Sequence, residues 1–278
     1  SQLEAALLLR PQSITLDYLD LYGLRKSVEQ VKSAGITVRV ASPRVLKPGE
    51  ARISDFLASL DCWILVRCAG LLEALREKAA GRLIGDFSLN VANSISAWAI
   101  LRQGVERITP THDLNAAQIA HLASAIGPQR IEAVAYQHLP VFHTEHCVFC
   151  RFLSKGTSYK DCGRPCEAHQ VSLRDERGRV HPVMADVGCR NTVFGAEAQE
   201  ASTHLKLWLE AGIRDLRLEF VHETGEQLTE VATAFERSLR GCMTFSELGA
   251  GLRSKSPTGT TEGSLFIAKD YAALPVLQ

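Results

Sequence analysis

Short runs of aliphatic and β-branched residues recur at intervals of roughly 20 to 25 residues, separated by stretches whose apolar positions repeat at helical spacing. The first seven runs are SITLDYL (13–19), ITVRVAS (36–42), CWILVRC (62–68), LIGDFSLN (83–90), RITPT (107–111), IEAVAYQ (131–137) and PVMADVG (182–188), and DLRLEF (215–220) is the eighth. GLRKSVEQVKSAG, GLLEALREKAAG, SISAWAILRQG, NAAQIAHLASAIG, ASTHLKLWLEAG and GEQLTEVATAFERSLRG lie between or after them and read as helices, mostly ended by glycine. Eight alternations of this kind predict the α/β class and a (β/α)8 TIM-like barrel over residues 1–241.

The rhythm breaks at 138–181, a polar stretch rich in Cys and His and too long for an ordinary loop. It is predicted as an insertion after the sixth strand, emerging at the C-terminal barrel face where active sites lie. HQVSLRDERGRVHPVMADVG reads as a hairpin turning at DERG. Beyond Gly241 the pattern fades, so 242–278 is predicted as a C-terminal loop and tail containing the flexible SKSPTGTTEGS.

Composition narrows the class. With 46% hydrophobic and 22% charged residues in 278, the chain is neither disordered nor a coiled coil. Its 31 basic and 31 acidic residues leave no overall electrostatic footprint for RNA or an anionic membrane, so any RNA must be held locally or by another part of the molecule. No apolar run approaches the roughly 20 residues that cross a bilayer, and SQLEAALLLRPQS lacks a basic leader with a long apolar core. A cytoplasmic location without membrane contact is expected, where eight cysteines serve as thiols or thiolate ligands rather than disulfides. The first residue is Ser rather than Met, which suggests a processed product or a piece of a longer chain, so an upstream domain is an expected partner.

Five cysteines crowd into 147–189. Cys147, Cys150, Cys162 and Cys166 form C-x2-C-x11-C-x3-C, and Cys189 follows. Thiolates at such spacing suit zinc or an iron-sulfur centre, and spacing alone does not choose between them. Cys62, Cys68 and Cys242 read as small buried hydrophobes.

QHLPVFHTEHC, CGRPC, LRDERGRVHPVMADVGCRNTVF and AGIRDLRLEFVHETGE together resemble the later half of long bacterial members of the collagenase-like peptidase family, the U-thirty-two family. DFSLNVANSISAWAI and RITPTHDLNAAQI look like its upstream barrel segment, so the resemblance covers about 80–263. It implies either a collagenase-like peptidase or an oxygen-independent hydroxylase of the ubiquinone pathway or of RNA, the RNA enzymes using prephenate as hydroxyl source. It also implies a [4Fe-4S] cluster on Cys147, Cys162, Cys166 and Cys189. Cys150 departs from the family pattern, and a zinc site on the compact set would use it and omit Cys189. Glu262 in GTTEG stands where the family usually has a basic residue, which weakens phosphate binding by the tail.

Around these cysteines, His143, Glu145 and His146 are candidate proton donors or acceptors, or else order the cysteine loop. Asp86, Asn90 and Asn93 end the fourth strand, with Asp86 and Asn90 as candidate substrate contacts and helix capping as the alternative for the asparagines. Arg67, Arg190 and Arg217 are candidate anchors for a small-molecule carboxylate such as prephenate, each also readable as a structural ion pair. His112 and Asp113 read as a helix start capped by Thr111 or Asp113, while His169 and His181 flank the hairpin. No HExxH or GxSxG appears, and no cysteine at a helix start has an evident histidine partner, so a hydroxylase ranks above a peptidase. The third reading is a non-catalytic cluster-binding or docking module of a longer protein.

Overall fold

The computed structural model describes residues 1–18, 21, 23–158, 160–186, 188–256 and 258–267. The chain runs α1 (Gln2–Leu9), β1 (Ser13–Leu16), α2 (Leu24–Ser33), β2 (Thr37–Ala41), α3 (Ala51–Ala58), β3 (Trp63–Val66), α4 (Ala69–Leu75), β4 (Leu83–Gly85), α5 (Ser94–Leu101), β5 (Val105–Ile108) and α6 (Ala116–Ile126). It continues with β6 (Glu132–Thr144), α7 (Val148–Leu153), β7 (Val171–Arg174), β8 (Val180–Asp186), β9 (Arg190–Glu200), α8 (Leu205–Glu210), β10 (Asp215–Leu218), α9 (Gly225–Leu239), α10 (Phe245–Lys255) and β11 (Thr260–Thr261).

Strands β1 to β5 form a parallel sheet in sequence order, as right-handed βα repeats of this kind require. A parallel bridge from Ile108 to Ile131 leads on to β6, which pairs in parallel with β10. Their burial explains the sequence pattern. Ile64, Leu65 and Val66 of β3 and Leu83 and Ile84 of β4 are covered on both faces, so the strands read as continuous apolar runs. Leu24, Val28 and Val31 of α2 sit one helical turn apart and pack into the same core, as do Leu71, Leu72 and Leu75 of α4.

The predicted closed eight-stranded barrel is corrected. Among the described residues the parallel strands make no closed ring, because β1 and β10 share no ladder and PVMADVG is not a seventh parallel strand. That segment forms β8, antiparallel to both β7 and β9. A short apolar strand reads the same whichever way its neighbours run, and the partner is a property of distant sequence.

Nor is 138–181 a structureless loop. β6 runs on to Thr144 and pairs antiparallel with β9, giving the sheet order β10-β6-β9-β8-β7. The β7–β8 hairpin predicted at DERG is present, with Asp175 accepting the backbone N–H groups of Arg177 and Arg179 and Gly178 at φ +81°. A small separate core of Phe149, Val183 and Val193 holds this antiparallel module together, with Cys147 and Cys166 packed against it. The stretch after Gly241 contains α10, whose start is fixed by a capping box between Thr244 and Glu247, and β11, which pairs with β9. The expected tail at 268–278 lies outside the described residues. Among the described residues no helix is long and apolar enough to cross a membrane.

Candidate metal centre and the ends of the parallel strands

The antiparallel module gathers the five clustered cysteines. Cys147 caps α7, its Sγ accepting the backbone N–H of Cys150 at 3.4 Å. Buried Asn191 fixes that helix start: its Oδ1 accepts the N–H of Val148 at 2.6 Å and its Nδ2 donates to the Arg190 carbonyl. Cys162 Sγ accepts the N–H of Arg164 at 3.4 Å in a turn where Gly163 and Arg164 both have positive φ. Cys189 is itself left-handed, at φ 62°, an unfavourable backbone state for a residue with a Cβ.

The thiols feel one another. Burial raises the Cys189 pKa, and Cys147, Cys162, Cys166 and Cys150 raise it further. Burial followed by neighbouring thiols does the same for Cys150 and Cys166. Cys150 differs from the others in donating its S–H to the Gly156 carbonyl at 3.2 Å. Of the remaining cysteines, Cys62 is buried and its thiol is pushed up to about 11 by burial, whereas Cys242 is exposed rather than buried as predicted. α9 ends before Cys242 and leaves it at the surface.

The three residues proposed for proton transfer sit beside this module but do not converge. His143 Nδ1 lies 2.9 Å from Thr192 Oγ1 and 3.8 Å from Asp186, its Nε2 is buried with no hydrogen-bond partner among the described residues, and burial lowers its pKa. Glu145 is bound by Lys47 and, at 2.9 Å, by Arg190. His146 contributes its backbone N–H to Thr144 Oγ1.

A second polar group lies where the parallel strands end. Asp17, Arg67 and Asp86 directly follow β1, β3 and β4. Arg67 donates to Asp86 at 3.0 Å and to Asp17 at 2.7 Å. Arg217 of β10 binds Asp86 at 2.6 Å, Glu132 at 2.9 Å and Glu219 at 2.7 Å, and Arg39 of β2 binds the other oxygen of Glu132. Asp86 is about 1% exposed. Burial alone would raise its pKa, but Arg217, Arg67 and Arg44 hold it well below the usual carboxylate range. Burial keeps the Glu219 carboxyl above its ordinary value despite Arg217.

The three proposed carboxylate anchors are therefore all held in ion pairs, Arg190 with Glu145 and Glu50 and away from the other two. Asn90 is exposed in a left-handed turn and apart from this network, and Asn93 caps α5. The predicted cap of α6 by Thr111 or Asp113 is corrected to Asn115, with Gln118 completing the box. His112 is freed from that role. It stacks on Phe87 at 3.8 Å and burial drops its pKa to about 4. Its Nε2, Thr109 Oγ1 and Gln137 Oε1 have no hydrogen-bond partner among the described residues, and their residues line a small cavity of about 20 Å³ with Gln199 and Ser264.

Other residues enter that sequence reasoning missed. Arg44 follows β2, half-buried over the Phe87 ring at 5.4 Å, and has no carboxylate within ion-pair distance among the described residues. Burial and then Arg67 lower its pKa. Glu132 and Glu219 sat inside apolar runs read only as strands, and a charge within such a run was the signal available. His169 and His181 are held within the hairpin region, His169 by the Pro165 carbonyl and His181 by Asp175 and the Phe194 carbonyl. Glu262 pairs with Thr203 and with His204 at 3.3 Å.

No curated protein matches this chain. Among solved structures, the U32 peptidase Mk0906 is similar at 16% identity with a TM-score of 0.40, over 48% of this chain, which spans 65% of that one. The family model described as peptidase family U32 matches residues 24–264. A match across that much of the sequence makes this chain a member of peptidase family U32.

Proposed function

We propose that the chain is an iron-sulfur-dependent, oxygen-independent hydroxylase, acting on RNA with a prephenate-like carboxylate as hydroxyl source. The carrying observation is that Cys147, Cys162 and Cys166 all lie close enough to Cys189 to act on its thiol, with Cys147 and Cys166 packed on one small core and the sulfurs of Cys147 and Cys162 already accepting backbone N–H bonds. Such bonds fix the two sulfurs in place, as the hydrogen bonds around a metal ligand do. Among the described residues no three cysteine sulfurs lie within 4.8 Å of one another. A single tetrahedral zinc needs them roughly 3.8 Å apart at a bond length near 2.3 Å, whereas a four-iron cube takes ligands set wider. Cys150, with its proton committed to Gly156, fits the spare position. When bound, the cluster supplies electron transfer or polarisation of a substrate oxygen.

The chain's own residues then divide the remaining work. Arg44 offers the carboxylate a guanidinium with no ion pair among the described residues, and its half-burial strengthens that attraction. Arg67 and Arg217, anchored by Asp17, Asp86 and Glu132, hold positive charge at the same strand ends. His143 can hold or accept a proton at its unpartnered Nε2. RNA contact falls to the antiparallel module, where residues 151–179 carry seven Lys and Arg against four Asp and Glu in a chain of zero net charge.

A peptidase needs an activated nucleophile or an open catalytic metal. Burial raises the thiol pKa of Cys150, Cys166 and Cys189, where a cysteine nucleophile needs a lowered one. The test is anaerobic incubation of the protein with RNA and prephenate, read by mass spectrometry for a nucleoside that gains one oxygen. Arg44→Gln should raise the KM for prephenate with folding unchanged. Peptide cleavage without nucleoside oxidation would replace this reading with the peptidase.

A further inference from the structure

A third constellation lies away from both groups just described. In β6, a register shift opposite Arg217 and Leu218 turns the following side chains to the other face of the sheet. Tyr136 and His138, two apart on the strand and so on one face, meet Glu223, in the loop after β10. His222, next to Glu223 in sequence, brings its ring to 4.5 Å from that of His138, centroid to centroid.

The hydrogen bonds define which atoms face inward. His138 Nδ1 lies 2.9 Å from the Gly195 carbonyl oxygen, an acceptor only, so Nδ1 carries a proton. His138 Nε2 then faces Glu223 Oε1 at 3.2 Å. A neutral imidazole would set a lone pair against a carboxylate there, so something positive belongs between them: a proton or a metal ion. Oε1 also accepts the Tyr136 hydroxyl at 3.0 Å, and Oε2 accepts the backbone N–H groups of Val221 and His222 at 2.7 and 3.1 Å. A histidine donating its far nitrogen to a carbonyl, and a carboxylate held by several donors, are the outer-sphere supports that metal ligands characteristically have.

We infer that His138, His222 and Glu223 form a mononuclear site for a divalent transition metal of the zinc class, separate from the cysteine centre. One ligand atom from each lies within 4.8 Å of the other two. The 3.2 Å between Nε2 and Oε1 matches the edge of a tetrahedron with bonds of about 2.0–2.1 Å, roughly 3.3 Å. Two imidazoles and a carboxylate suit zinc over magnesium or calcium. His138 and Glu223 are buried while His222 is exposed, so the ion would have two fixed ligands, one that closes from the solvent side, and a fourth position for water. The alternative is a plain imidazolium–carboxylate pair between His138 and Glu223.

Cobalt(II) added to the chelator-treated full chain under anaerobic conditions distinguishes the two. One equivalent should bind with visible d–d absorption and without the near-ultraviolet charge transfer that thiolate ligation produces. His222→Ala, an exposed change that leaves the fold and the metal-free melting temperature intact, should weaken binding by about 100-fold or more, and Tyr136→Phe by roughly tenfold. Cys162→Ser should leave this signal unchanged. Absence of binding at micromolar cobalt, or binding that survives His222→Ala, or binding lost with Cys162→Ser, would overturn the site. The two centres share no ligand, so failure here leaves the cluster reading standing.

Discussion

At the residue scale, the ion network at the strand ends is a set of charges that burial would destabilise without their partners. Asp86 binds both Arg67 and Arg217, and removing its charge leaves two buried guanidiniums short of a counter-ion. Asp86→Asn is therefore expected to cost about 3 kcal/mol or more in a urea unfolding titration. Its folded-state pKa is depressed, so its contribution is present above the unfolded value near pH 4 and is lost as pH falls below it. Acid titration of Asp86→Asn should accordingly show a shallower loss of stability below about pH 4 than the parent chain. His112 also has a depressed pKa but is a base: in the folded state it resists the proton the unfolded chain takes up, so stability falls from about pH 6.5 towards 4. His112→Phe should flatten that interval, as followed by melting temperature against pH. None of these pairings was legible beforehand. Arg67 and Arg217 stood out as isolated cations, but their carboxylate partners, Glu219 apart, lie 19 to 131 positions away.

At the element scale, local signals and distant pairing separate cleanly. Asn93, Asn115, Thr224 and Thr244 each cap a helix with the side chain three positions on returning the bond. Asn115→Ala should lower stability by about 1 kcal/mol, measured by thermal or urea unfolding. The same sequence signal, Thr followed three residues later by Glu, stood at the start of α10, where the fading of larger hydrophobic periodicity hid it. Strands β2, β3 and β4 were readable because each is a nearly continuous buried run. β8 was not, since its antiparallel placement depends on β9, and the continuation of β6 to Thr144 is likewise imposed by β9 across residues of mixed polarity. The DERG turn was readable because Asp and Gly there do local work that no distant partner alters.

At the scale of the whole molecule, two bodies of structure carry the account: parallel strands ending in a buried ion network, and an antiparallel module that gathers the cysteines. The crowding of thiols was plain in the sequence. What supports them was not, because Asn191, Gly156 and the satellite core reach Cys147 and Cys150 only after folding. The choice of Cys189 over Cys150 came from family resemblance, and Cys150 donates its S–H to the Gly156 carbonyl. The measurement that tests this most directly is iron, acid-labile sulfide and zinc per chain, on anaerobically purified parent protein, Cys189→Ser and Cys150→Ser. About four irons and four sulfides should be found in the parent and in Cys150→Ser, and little of either in Cys189→Ser. Zinc on the cysteines, lost with Cys150→Ser and retained with Cys189→Ser, would contradict the cluster and with it the proposed hydroxylase.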